Sequence, residues 1–339
     1  MPKSDDNEQT IAARKRLKFI LEDGRDILVD RSRVKDFPEW FDEELFKRGQ
    51  KWYIDNLYTV FITNLIGLLL VLSIPTVCDV VVLTNKSNTP CKAYKRYFDT
   101  LRHSLNWYTY DIKDFKSESQ KSISIVHGLH GSSSRLASKH GLGARVTQTD
   151  MSLSQFVFMG LILVRKKELS INCTDEDEIA IIHLWRTLGY FLGIQDRFNL
   201  CQGTSEEVRN LCQLVLSDVY APYLKQPPRD FDVIARSLID GFKPIIPIID
   251  VEVMINLTNE LCGLPNKKIV SWYNLWLYNV HKFIHNFLFT IPWLRSISLS
   301  VFNILLKFSL WLNSNFPIIA AIQLGQEIYD TEEPKPLIR

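Results

Sequence analysis

The chain has 339 residues, 46% of them hydrophobic, enough to bury one large core or two smaller ones. Its 40 basic residues are balanced by 38 acidic ones, which removes the positive excess expected of a nucleic-acid-binding protein. Six cysteines are scattered without a Cys-x-x-Cys pair, which argues against a zinc ribbon, a redox pair or a disulfide scaffold and for free thiols.

The first residues, to about residue 12, are polar and read as disordered. They lack a basic segment followed by an apolar one, so the expectation is a protein that is not secreted, and the Asn-x-Ser/Thr triplets at Asn85, Asn172 and Asn256 read as chance matches. A charged helical region follows to about residue 50, with Phe37, Trp40, Phe41, Leu45 and Phe46 spaced for one buried face. From Asn56 to Cys78 no residue is charged, which is long enough to cross a bilayer. Pro75 and the polar Thr59, Thr63 and Asn64 argue against a simple lipid-facing span, and a helix buried in a protein core fits the stretch equally well. The short alternating run Val80 to Leu83 is the main strand-like exception, and Asn85 to Pro90 is a cluster of helix breakers.

Helical patterns resume over about 91–107, about 120–139 and Gln148 to Val164. Thr174 is placed to cap a further helix whose acidic first turn complements the positive helix end, and Gly189 and Gly193 within it would admit a close neighbour. The stretch Asn286 to Gln326 is rich in Phe, Leu, Ile and Trp, carries only Arg295 and Lys307, and is broken by Pro292 and Pro317. It suits an interfacial anchor, a membrane hairpin or a core. The fold class expected is all-α, one large helical domain with apolar C-terminal helices.

Two groups of residues carry chemistry. In a helix, His127 and His130 lie on one face, with Gly131 and Ser134 beside them, leaving a bare patch next to two potential metal ligands. Arg96, Thr100 and His103 form a second stripe, with Asp99 at its edge: the arginine can anchor a carboxylate, the threonine can hydrogen-bond to bound oxygen. Each group also reads as an ordinary helix face. His183 reads as core, and the pair His281 and His285 as mainly structural, because no acid or cysteine accompanies it. The metallopeptidase, nucleophile-elbow, phosphate-loop and dinucleotide motifs are all absent.

Taken in order, Arg96-x-x-x-Thr100, His127-x-x-His130, Gln148-Thr-Asp-Met151 and Leu184-Trp-Arg-Thr-Leu-Gly-Tyr-Phe-Leu-Gly-Ile194 resemble the catalytic domain of the rubber oxygenases (latex clearing proteins) and the ER-bound oxygenases of the mpaB type. The resemblance spans roughly residues 35–270. It implies a globin-like helical core around haem b, with dioxygen used to cleave a carbon–carbon double bond in an apolar, isoprenoid or lipid-like substrate. By position His130 corresponds to the iron ligand, His127 to its pocket neighbour, Arg96 and Thr100 to the polar pair across the haem, and Arg135 loosely to an arginine after the ligand. Asp99 departs from the family, which has a lysine over the distal iron face there.

The organisation expected is an extension over 1–34, disordered or helical, a catalytic domain over 35–270 and an apolar helical extension over 271–339 with possible membrane contact. The corresponding location is a membrane, with the endoplasmic reticulum implied by the resemblance and the cytoplasm as the alternative. A helical scaffold or lipid-binding protein that keeps the fold without the chemistry, and a non-haem metal site on His127 and His130, stand as competing readings.

Overall fold

The computed structural model describes residues 8–29 and 36–329. These residues are mainly helical and contain no β-strand; extended backbone pairs at one isolated bridge, Leu28 with Thr147. The all-α expectation is met. In chain order the helices are α1 (Glu8–Asp23), α2 (Glu43–Asp55), α3 (Leu57–Leu72), α4 (Pro75–Leu83), α5 (Pro90–Thr109), α6 (Glu118–Lys139), α7 (Gln148–Val164), α8 (Asp175–Phe191), α9 (Ser205–Leu214), α10 (Ala221–Lys225), α11 (Phe231–Phe242), α12 (Val251–Leu261), α13 (Trp272–Phe283), α14 (Pro292–Asn315) and α15 (Ile318–Leu324). Wider π-type turns link α9 to α10 and extend α13.

Local chemistry fixes many of these ends. Thr147, Thr174 and Thr204 each open a helix by accepting from the N–H three residues on, while Asp150, Asp177 and Glu207 reach back to the threonine N–H. Pro75, Pro90 and Pro292 take first-turn positions, where a missing N–H costs nothing.

At the centre lies α3, with fourteen of its residues from Leu57 to Leu72 buried. It is apolar all round because it is enclosed all round, by α7, α11, α12 and α14. Gly67 lets α7 approach closely: a β-carbon there would lie 2.6 Å from the Val157 carbonyl oxygen. The uncharged stretch 56–78 is therefore not one membrane span. Its helix meets α2 at a 90° bend, and the chain breaks again at Ser73 and Ile74 before α4.

Polar side chains of α7 fasten the segment after α8. Gln148 donates to the Gly193 carbonyl at 3.0 Å and accepts from the Gln195 N–H at 2.9 Å. Gln155 donates to the Trp185 carbonyl at 2.7 Å and accepts from the Leu200 N–H at 3.0 Å. Buried Glu178 is ion-paired with Lys166 and Arg209.

Several local expectations are corrected. Residues 8–12 open α1, whose Ala13, Leu17 and Ile20 are buried; the rest of the stretch read as disordered lies outside the described residues. Val80 to Leu83 is the last turn of α4, tertiary packing overriding strand propensity. Phe37, Trp40 and Phe41 precede α2 rather than lining it, and pack as a cluster, Phe37 against Phe41 and Phe191 and Trp40 beneath the Arg186 guanidinium. Gly193 lies beyond α8 with φ of 92°, a left-handed stop rather than a packing contact, whereas Gly189 makes room for the Gln155 and Asn199 amides.

Because the atoms facing Gly67 are Val157 backbone, they have little room to yield. Gly67→Ala is expected to lower unfolding free energy by about 1–3 kcal/mol in denaturant titration, and an unchanged midpoint would contradict the close α3–α7 approach.

Candidate functional site

Helices α5 and α6 pack directly against each other, and the two chemical stripes of the sequence lie where they meet. Thr89 and Ser117 cap the two helices. His103 Nδ1 and the Ser122 hydroxyl, 2.8 Å apart, tie one helix to the other.

On α5, the Arg96 guanidinium donates to the hydroxyls of Thr84 at 3.1 Å and Ser87 at 3.3 Å, which pins it to the end of α4. Thr100 donates its hydroxyl back to the Arg96 carbonyl at 3.0 Å, leaving its oxygen able to accept. On α6, burial pushes the His130 imidazolium down to about 4, with the nearby His127 and Arg96 adding to the effect. His130 is therefore a neutral imidazole at physiological pH. Its Nδ1 is buried and has no hydrogen-bond partner, and the same holds for the Ser134 hydroxyl one turn further on. Between them Gly131 is buried, yet a β-carbon there would meet only Arg135 Nη1, at 3.5 Å, and one on Gly128 would meet nothing. Gly128 is exposed, so the open space there is solvent, whereas at Gly131 the exposed Arg135, which also donates to Ser132 at 2.8 Å, is the nearest side chain.

The remaining sequence candidates fall elsewhere. Asp99 is 56% exposed at its side chain and ion-paired with Arg102 at 2.8 Å, on the solvent side of the stripe. His183 accepts from the Asp42 N–H at 3.0 Å. His281 bonds to the Ile248 carbonyl at 2.9 Å and His285 to the Leu169 carbonyl at 3.1 Å, so each serves as a tie between chain segments.

Thr100 also borders a small cavity of about 30 Å³ between α3, α5, α7 and α11, lined by Phe61, Asn64, Leu68, Tyr97, Phe158 and Phe242 among others. Asn64 Oδ1 is buried beside it without a partner. In the sequence Asn64 stands out only as a residue unsuited to lipid. A lone amide in an uncharged helix was the available signal for this wall.

Among the described residues no three of His, Cys, Asp and Glu converge, so the donor set does not make a multi-ligand metal site. A single imidazole outside any such cluster would serve only a group that brings most of its own donors, such as a planar macrocycle. The 30 Å³ cavity admits a water molecule, not a macrocycle. Seating one between the stripes requires α6 to move away from α5, and the His103–Ser122 bond is a contact that would give.

No family model matches the chain, and no curated protein matches its sequence. Among solved structures, the fold is similar to that of latex clearing protein in its closed state, with a TM-score of 0.59, 13% identity and 87% of each chain covered. At that identity the likeness establishes a shared fold.

Burial pushes His285 down to about 4 from its ordinary 6.5, so the unfolded chain binds a proton there that the native chain refuses. This group is expected to withdraw stability as pH falls from about 6.5 towards 4, and His285→Gln to flatten that part of the stability profile. An identical slope in both proteins, followed by chemical unfolding at stepped pH, would contradict the assignment.

Proposed function

We propose that the chain is a haem-dependent oxygenase acting on an apolar, isoprenoid or lipid-like substrate. One observation carries the reading: His130 keeps a buried, unpartnered Nδ1 on α6, the helix packed against the Arg96-bearing α5, in a fold similar to that of latex clearing protein. When bound, haem b supplies the iron centre at which dioxygen is activated for cleavage of a carbon–carbon double bond.

The chain's own residues take these roles. His130 would hold the iron through a ring nitrogen, its depressed proton affinity keeping that lone pair available. Gly131 leaves that face of α6 without a side chain, and His127 stands one turn earlier. Arg96, fixed by Thr84 and Ser87, and the exposed Arg135 would offer cations to carboxylates of the cofactor. Thr100 would offer its oxygen at the small cavity it borders, which the Phe61, Tyr97 and Phe242 side chains keep apolar. Asp99, exposed and ion-paired with Arg102, would take no part in holding the cofactor.

A second reading, a helical scaffold that keeps the fold without the chemistry, is favoured by the small size of the cavity at Thr100.

The test is an absorbance spectrum of the full chain expressed with added haem, followed by oxygen uptake with candidate alkenes. A Soret band that is lost in His130→Ala and kept in His281→Ala is expected, both variants being checked for native circular dichroism. Thr100→Val is expected to keep the band and lower oxygen uptake by roughly tenfold or more. A folded protein that takes up no haem would overturn the proposal, and a haem-loaded protein inert towards every alkene would favour the scaffold.

A further inference from the structure

From Leu261 to Gln326 the chain contains no aspartate or glutamate, but Lys267, Lys268, Lys282, Arg295 and Lys307 are all basic. The same stretch exposes its largest apolar side chains, with Trp272 at 81%, Ile322 at 77% and Trp293 at 66%. On α14 the outward residues Trp293, Ile297, Val301, Ile304, Phe308 and Trp311 recur every three or four positions, forming a continuous apolar stripe in solvent.

The inward face of that helix is the more polar one. Asn303 accepts from the Tyr58 N–H at 2.8 Å and donates to the Asp55 carbonyl at 2.7 Å, serving the bend between α2 and α3. Ser309 donates to the Ile245 carbonyl at 2.7 Å, and Asn313 accepts from the Tyr94 hydroxyl at 3.1 Å. A helix that keeps amides inside and tryptophans outside is inverted relative to one facing water. Although α14 is long and apolar enough to cross a bilayer, crossing would strip these bonds from the body of the protein.

We propose that α13, α14 and α15 form a lipid-docking face, with α14 lying in the plane of an anionic membrane surface. The outward apolar stripe sits at the boundary of headgroups and acyl chains, where tryptophan is favoured. Lys282 is ion-paired with Glu260, whereas Lys267, Lys268, Arg295 and Lys307 make no salt bridge among the described residues and complement lipid phosphates. A second copy of the chain is the poorer occupant, since it would set the basic side chains of this stretch against one another. The inference stands apart from the proposed oxygenase activity and requires no haem.

The test is flotation of the full chain with vesicles of phosphatidylcholine alone or with about one-third phosphatidylserine. Binding is expected to favour the anionic vesicles and to weaken in high salt. The combined variant Trp293→Ser, Ile304→Ser and Phe308→Ser alters only exposed side chains; it is expected to remain folded by circular dichroism and to lose roughly tenfold or more in partitioning. Lys267→Glu with Lys268→Glu is expected to lower the preference for anionic vesicles by roughly tenfold while sparing the apolar contribution. Brominated lipids are expected to quench the wild-type fluorescence, because Trp272, Trp276, Trp293 and Trp311 are exposed while Trp52, Trp107 and Trp185 are buried. A chain that floats with neither vesicle, floats unchanged with the triple variant, or buries the stripe in a soluble dimer that ignores vesicles would overturn the proposal.

Discussion

The enclosure of α3 is the constraint on which the architecture turns. A helix with isoleucine, leucine, valine and phenylalanine on every side cannot present a face to water, so other helices must surround it. Its termini then become the difficulty, because buried N–H and carbonyl groups cannot turn to solvent. The 90° bend from α2 leaves the start of α3 without a local side-chain cap, as Asn56 makes none. Asn303 supplies the missing partners in trans from α14, accepting at Tyr58 and donating to Asp55. The C-terminal helices are thus joined to the core by hydrogen bonds that the core itself requires.

The two sides of the molecule are held differently. Around α7 and α8 the polar interior is densely satisfied, with Gln148, Gln155, Asn199 and Glu178 each making more than one contact. Such networks fix one arrangement, since any displacement leaves a buried group unpaired. Around α6 the pattern reverses. His130 Nδ1 and the Ser134 hydroxyl are buried without partners, Gly131 leaves that face without a side chain, and the His103–Ser122 bond joins the helix to α5. Unsatisfied buried groups are costly in a structural element and understandable in one that receives a ligand.

The sequence made the helices legible where capping chemistry is local. Thr174 with its acidic turn, Pro75, and the breakers before Pro90 mark boundaries that the structure keeps. The Arg96 and His130 stripes were legible too, because helical spacing alone puts each on one face. Their mutual approach was not, since that depends on how α5 and α6 pack. The stretch from Asn56 to Cys78 was ambiguous for a physical reason: a bilayer and a deep core make the same demand on composition. Asn303, which settles how α3 begins, lies 245 positions from Tyr58 and carries no signal in its own neighbourhood. Phe37, Trp40 and Phe41 have helical spacing without being helical, because aromatic contacts with α8 place them in a turn.

Helix α5 connects the two surfaces of interest. Tyr94 and Arg96 are two positions apart, about 200° around a helix, so they project to opposite sides. Tyr94 donates to Asn313 of α14, beneath the outward apolar stripe, while Arg96 lies near His130. Lys95, between them, bonds to the backbone of Glu327 just beyond α15. Tyr97 and Thr100 on the same helix border the small cavity with the unpartnered Asn64 amide. A shift of α14 against the body of the protein therefore bears on the helix that carries the candidate site. For an apolar substrate drawn from a lipid phase, that coupling gives the arrangement a physical logic: the surface that would meet the lipid and the residues that would meet the substrate are fastened to one rigid element.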